Sequence, residues 1–156
     1  MHLSELAARY ESGTQAVLDA LGDFKEKNLD AKHPEGWSAR QVVHHLADSE
    51  TNSYIRLRRL VGEEEGTLLS GYDEGAWAKN PTLGYEELPI EPSLALFVAV
   101  RAASLVIVRR LSDADLNKSG VHSEAGHYSV ESWFSSYLAH PFDHASQIER
   151  AFKHQL

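Results

Sequence analysis

The chain has 156 residues, enough for one domain over residues 1–156 that buries a substantial core without crosslinks. It has no cysteine, which excludes disulfides, thiolate metal ligation and a cysteine nucleophile, and gives no argument for secretion. With 23 acidic against 15 basic residues and a formal net charge of −8, it is a poor partner for nucleic acid.

The first predicted helix runs from about Leu3 to Phe24, with Leu3, Leu6, Ala7, Tyr10, Val17, Leu21 and Phe24 at helical spacing. Its opening, Met1-His2-Leu3-Ser4-Glu5, has neither the basic region nor the apolar run of a signal peptide, so a cytoplasmic location is expected. His33-Pro34-Glu35-Gly36 then breaks the chain. The second helix opens on a capping box, Ser38 with Gln41 three residues on, and is predicted to reach Val61 and stop at Gly62. The connection from Gly62 to Pro92 is punctuated by Gly66, Gly71, Gly75, Pro81, Gly84, Pro89 and Pro92 and reads as a structureless loop of the kind that covers a site.

Ser93 is predicted to cap a third helix through Leu111. Leu94, Leu96, Phe97, Val98, Val100, Leu105, Val106, Ile107 and Val108 lie all round it, so burial on most sides is expected. That burial is either in the core or against a second copy in a homodimer. The densest apolar run, Leu94 to Val100, is too short to span a bilayer, so no membrane partner is expected. The stretch from Ser112 to Tyr128, with Gly120 and Gly126, has room for a short hairpin. A fourth helix follows from about Ser129 to Lys153. The expected fold is an all-α four-helix bundle with long connections.

The arginines Arg56, Arg58 and Arg59, and Arg109 with Arg110, lie within or at the ends of helices and read as solvated faces that complement the helix dipole. Trp37, Trp77 and Trp133 read as core or loop anchors, and Glu63-Glu64-Glu65 as a solvated turn.

Nine histidines are the conspicuous feature. His2, His33 and His154 fall near termini or turns, and His122 and His127 in the last connection. On the second helix, Val42, Val43, Leu46, Tyr54, Leu57 and Leu60 define an apolar face. His44 falls nearly opposite, beside Asp48, Thr51 and Arg58, and is predicted to be solvated. His45 falls at the edge of that face, in a polar stripe with Ser49, Asn52 and Arg56. Such a stripe beside a core is costly unless its members are hydrogen-bonded or bind something.

On the fourth helix, His140 and His144 stand one turn apart at the edge of the face made by Val130, Phe134, Tyr137, Leu138, Ile148 and Phe152, with Trp133 and Gln147 alongside. They are either hydrogen-bonded core histidines or two of three nitrogen ligands to a divalent metal. Three protein ligands with an open position mark a catalytic rather than a structural site. Between them stand Pro141, Phe142 and Asp143, so the glutamate of a His-Glu-x-x-His protease is missing. Pro141 is expected to kink the helix or start a new segment. No nucleophile elbow, phosphate-cradling loop or dinucleotide fingerprint is present in the sequence.

The run Gly36-Trp37-Ser38-Ala39-Arg40-Gln41-Val42-Val43-His44-His45-Leu46-Ala47-Asp48-Ser49 resembles the second helix of the DinB/YfiT-like family. The continuation Asn52-Ser53-Tyr54-Ile55-Arg56 and the later Tyr72-Asp73-Glu74-x-Ala76-Trp77 resemble its YfiT branch, and His140-x-x-x-His144-x-x-Gln147-Ile148 its C-terminal pattern. The resemblance implies a four-helix bundle, frequently homodimeric, with zinc or nickel held by His45, His140 and His144. Pro141 departs from the family pattern.

The resemblance also implies one of two reactions on a small-molecule substrate. The first expectation is an S-transferase in which a low-molecular-weight thiol such as bacillithiol attacks an electrophile; the alternative is a metal-dependent hydrolase. A non-catalytic, metal-stabilised module is the weaker third. Asn52, Arg56 and Gln147 are expected to orient ligands or substrate as part of the catalytic site. Asp48 and Asp143, the candidate bases, point away from the predicted face.

Overall fold

The computed structural model describes residues 2–156. Its long helices are α1 (Leu3–Leu21), α2 (Ala39–Gly62), α4 (Glu91–Val108) and α5 (Val130–Phe152); a short helix α3 (Glu74–Lys79) lies in the long connection. Ser38 and Ser129 cap α2 and α5 as the capping chemistry requires, each hydroxyl accepting the backbone N–H three residues on.

Four helix pairs carry the packing: α1 with α5, α5 with α2, α2 with α4, and α4 with α1. The consecutive helices α1 and α2 are therefore diagonal rather than adjacent, as are α4 and α5. Short turns join neighbours, so this order demands long connections. The apolar core falls into two clusters. One contains Tyr10, Leu57, Leu105, Trp133 and Tyr137; the other contains Val17, Val42, Leu46, Phe97 and Ile148. Chain order through the clusters shows that α1 and α5 run one way along the bundle and α2 and α4 the other.

Between the two clusters lies a polar layer. Arg101 of α4 and Glu50 of α2 are each 1% exposed and form an ion pair at 2.7 Å. The guanidinium also donates to Thr14 Oγ1 and Tyr10 O, both at 2.6 Å, and lies over the Tyr10 ring. A buried charge is tolerated only when paired and hydrogen-bonded this fully.

The connections are more ordered than the sequence reading expected. Strand β1 (Thr67–Leu69) pairs in parallel with β2 (Ser119–His122), which pairs antiparallel with β3 (Gly126–Ser129). The hairpin in the last connection is borne out. The loop from Gly62 to Pro92 is not structureless, because it contributes β1 and α3. Three residues between breakers carry too little periodicity to announce a strand. At Gly120 a Cβ would stand 2.5 Å from the Thr67 carbonyl oxygen, so the parallel pair requires glycine there.

Helix limits also shift. The first helix ends at Leu21, and Phe24 enters a 3-10 turn instead. The third begins at Glu91, not after a Ser93 cap, with proline in its first turn where the missing N–H costs nothing, and it ends at Val108 before Leu111. The hydroxyl of Ser93 is engaged by His44. Nor is α4 buried on most sides: Leu96 is 43% and Val106 58% exposed. The whole of α4, unlike the run Leu94 to Val100, is long and apolar enough to cross a membrane by composition, but its inner face packs on α1 and α2 through Phe97, Arg101 and Leu105. Pro141 starts no new segment, since α5 runs through it.

Candidate metal centre

His45 comes from α2, and His140 and His144 come from successive turns of α5, its packing neighbour. Their Nε2 atoms converge: His140 Nε2 lies 3.3 Å from His45 Nε2 and 3.1 Å from His144 Nε2. The three candidate ligand atoms lie within 4.8 Å of one another. Two nitrogens each about 2.0–2.1 Å from a tetrahedral zinc stand about 3.3 Å apart, so both short separations suit a shared cation.

The hydrogen-bond arithmetic favours the same conclusion. His144 Nδ1 lies 2.7 Å from Gln147 Oε1, which can only accept, so Nδ1 carries the proton and Nε2 presents its lone pair inward. His140 Nε2–H can then donate to His144, but it has no lone pair left for His45. One contact of the trio is unsatisfied by hydrogen bonds alone, and a cation between the nitrogens satisfies all three. The Nδ1 atoms of His45 and His140 are buried and have no hydrogen-bond partner among the described residues. The donor set therefore fits a divalent metal.

Burial keeps the imidazoles in the ligating form. Desolvation, with repulsion from His144, pushes His45 down to about 4. Desolvation followed by repulsion from His144 and His45 pushes His140 down to about 3. His144 is also lowered, chiefly by burial, with the Gln147 hydrogen bond opposing it. Trp37 meets the His45 ring edge-on at 5.4 Å and closes one side.

The cluster opens into a cavity of about 590 Å³, also lined by Trp37, Glu74, Gln147 and Arg150. A second cavity of about 570 Å³ adjoins it, sharing Glu35, Gly36 and Trp37 and extending past Lys79, Asn80 and Tyr85. Both are of the size that small-molecule sites occupy.

Of the residues singled out in the sequence, His45, His140, His144 and Gln147 come together here. Asn52 and Arg56 do not line this cavity. Asn52 Nδ2 donates to Asp48 O in its own helix at 2.8 Å. Arg56 lies further along α2, donating to Tyr137 Oη at 2.8 Å and Ser70 O at 3.0 Å. Asp48 accepts from the Tyr85 hydroxyl and is occupied there; Asp143 is exposed.

His44 is not solvated, contrary to its place on the helical wheel. It is 5% exposed, with Nδ1 2.8 Å from Ser93 Oγ and Nε2 3.0 Å from Leu88 O. The wheel assumes one buried face, whereas α4 and the segment before it cover a second. His122 Nδ1 accepts the backbone N–H groups of Glu124 and Ala125 and closes the hairpin.

Glu74 is the residue that the sequence reading passed over. It sits at the start of α3, and desolvation raises its carboxyl pKa against the opposing effect of Arg56. Its only sequence signal was membership of the Tyr72-to-Trp77 motif, without a role.

The DinB superfamily profile matches residues 9–148. A protein of Oceanobacillus iheyensis is 36% identical over 147 residues, covering 94% of this chain and 83% of its own length. A Bacillus mycoides protein is 33% identical over 130 residues, covering 83% of this chain and 73% of its own length. Both carry the provisional description of a metal-dependent hydrolase. The structure of YfiT from Bacillus subtilis superposes with a TM-score of 0.82 at 27% identity, over 97% of this chain and 86% of YfiT. YfiT is described as a probable metal-dependent hydrolase with an unusual four-helix bundle topology.

Proposed function

The chain belongs to the DinB superfamily, and from that premise we propose that it is a metal-dependent enzyme acting on a small polar substrate. The observation that carries the reading is the convergence of the His45, His140 and His144 Nε2 atoms at the wall of an open cavity. A zinc or nickel ion bound there would keep positions for outside ligands, acidify a water or thiol and polarise a substrate oxygen.

The protein's own groups divide the remaining work. Gln147 holds the His144 ring in the ligating tautomer. Trp37 limits water at His45 and separates the two chambers. Glu74, on the cavity wall with its carboxyl pKa raised by desolvation, accepts the proton released by the nucleophile and returns it to the leaving group. A carboxylate on the wall of the metal cavity is what hydrolysis needs, and the descriptions of the relatives agree with it. Hydrolysis is therefore the leading reading.

Thiol S-transfer is the second. It is supported by the two adjoining chambers, one for a low-molecular-weight thiol and one for an electrophile, in a chain with no cysteine of its own. The same reading takes the protein as a homodimer, supported by the exposed Leu96 and Val106 on α4. Metal analysis of the purified protein, followed by assays on esters and amides and on a thiol with an electrophile, tests the proposal. Metal-dependent ester or amide turnover without thiol is expected. Turnover only with thiol selects the second reading, and failure to bind metal overturns both.

A further inference from the structure

Pro141 stands between His140 and His144 in α5. In an α-helix the N–H of residue 141 would donate to the carbonyl of Tyr137. Proline has no N–H, and its ring crowds that same carbonyl. The Tyr137 carbonyl is thus left without its helical partner one turn before His140, in the buried layer between the two core clusters.

Arg101 of α4 reaches it. Nη1 lies 3.5 Å from Tyr137 O while making its shorter bond to Glu50 Oε1 at 2.7 Å. The distance is long for a hydrogen bond, so the interaction is chiefly that of a buried cation with a carbonyl dipole. The guanidinium cannot swing away, because Thr14, Tyr10 O and Glu50 fix its other donors. The facing turn of α1 makes room for this arrangement. A Cβ on Gly13 would stand 2.5 Å from Pro141 Cγ and 3.3 Å from Arg101 Nη2.

We propose that Arg101 is a positioning residue for the metal centre. Its guanidinium takes the place of the N–H that Pro141 lacks, and so fixes the turn of α5 that aims His140 at His45. The inference rests on the three-histidine reading. Buried charge, rather than the helix's own hydrogen bonding, sets the direction of the central ligand. Glu50 acts through Arg101, holding the charge in the core.

The test is cobalt(II) binding, read as affinity and as the d–d absorption spectrum, across wild type, Arg101→Lys, Pro141→Ala and the double variant. Lysine keeps a charge beside Glu50 but has no fork to reach Tyr137 O. Arg101→Lys is expected to weaken cobalt binding about tenfold and to shift the d–d bands. Pro141→Ala restores the N–H, so adding Arg101→Lys in that background should cost less than about twofold.

An equal loss in both backgrounds is what a merely structural arginine predicts, and it would overturn the proposal. So would an Arg101→Lys protein with wild-type affinity and spectrum. Circular dichroism and melting establish folding. Should Arg101→Lys not fold, the charge-neutral pair Glu50→Gln with Arg101→Gln replaces it, with the same expectations. Wild type that binds no more cobalt than a His144→Ala control overturns the three-histidine reading and this inference with it.

Discussion

Two polar groupings lie inside the bundle, and they differ in how completely they are satisfied. The Glu50–Arg101 pair is sealed in the core, with its donors directed at Glu50, Thr14, Tyr10 O and Tyr137 O. The three histidines stand a turn or two away, with their Nε2 atoms converging and a cavity in front. A buried polar group that is fully paired holds the fold together, whereas convergent groups left incomplete beside open space are arranged for something outside the chain.

The largest effect is expected at the sealed pair. Arg101→Ala leaves Glu50 buried and unpaired and should cost about 3–5 kcal/mol of stability, measured by denaturant unfolding. His144→Ala should abolish metal binding and activity while the metal-free protein unfolds near the wild-type midpoint. If His144→Ala destabilises the metal-free protein as much as Arg101→Ala does, the distinction between the two groupings collapses. A large drop in melting temperature on metal removal alone, with no activity found, would favour a metal that only fastens the bundle.

Within the open grouping, Glu74→Gln should lower turnover about 100-fold, as loss of a general base does, with metal content unchanged. Loss of metal in that variant would instead make Glu74 a ligand. Gln147→Leu should weaken metal affinity about tenfold, because His144 loses the acceptor that fixes its tautomer. Unaltered affinity there would remove Gln147 from the centre.

The smallest expected effect is the pH response of the metal-free protein. His45 and His140, near 4 and 3 when folded, lie below the ordinary histidine value of about 6.5 in the unfolded chain. The unfolded state therefore takes up protons first as pH falls. Stability present above about pH 6.5 is lost progressively toward pH 4 and below. Melting temperatures across this range should fall in wild type and fall less in His45→Ala. Identical slopes would mean that the histidines are not desolvated as described.

Much of this was legible in the sequence, for local reasons. Periodicity located four long helices, and the Ser38 capping box fixed the start of one, whereas the Ser93 cap did not hold. The edge position of His45 and the i, i+4 spacing of His140 and His144 marked them as candidates, and the resemblance to the DinB/YfiT-like family joined them into one set. His44 was misjudged because a helical wheel describes one helix in isolation. Ser93 and Leu88, 49 and 44 residues away, cover the face that the wheel left to solvent. Glu74 was illegible as a site residue because its place depends on how the long connection folds over the bundle.

What the sequence determined by itself is therefore what repeats within a few residues: helix existence, caps, the amphipathic faces and the pairing of His140 with His144. The tertiary structure alone decided that α2 lies against α5, which brings His45 to a histidine 95 positions away. It also decided that Arg101, 36 residues from Tyr137, answers the carbonyl freed by Pro141. The physical reason is one of range. Helical spacing is set by backbone geometry within a turn, whereas convergence of side chains from separate elements is set by which faces pack together, a global compromise among all four helices and their connections.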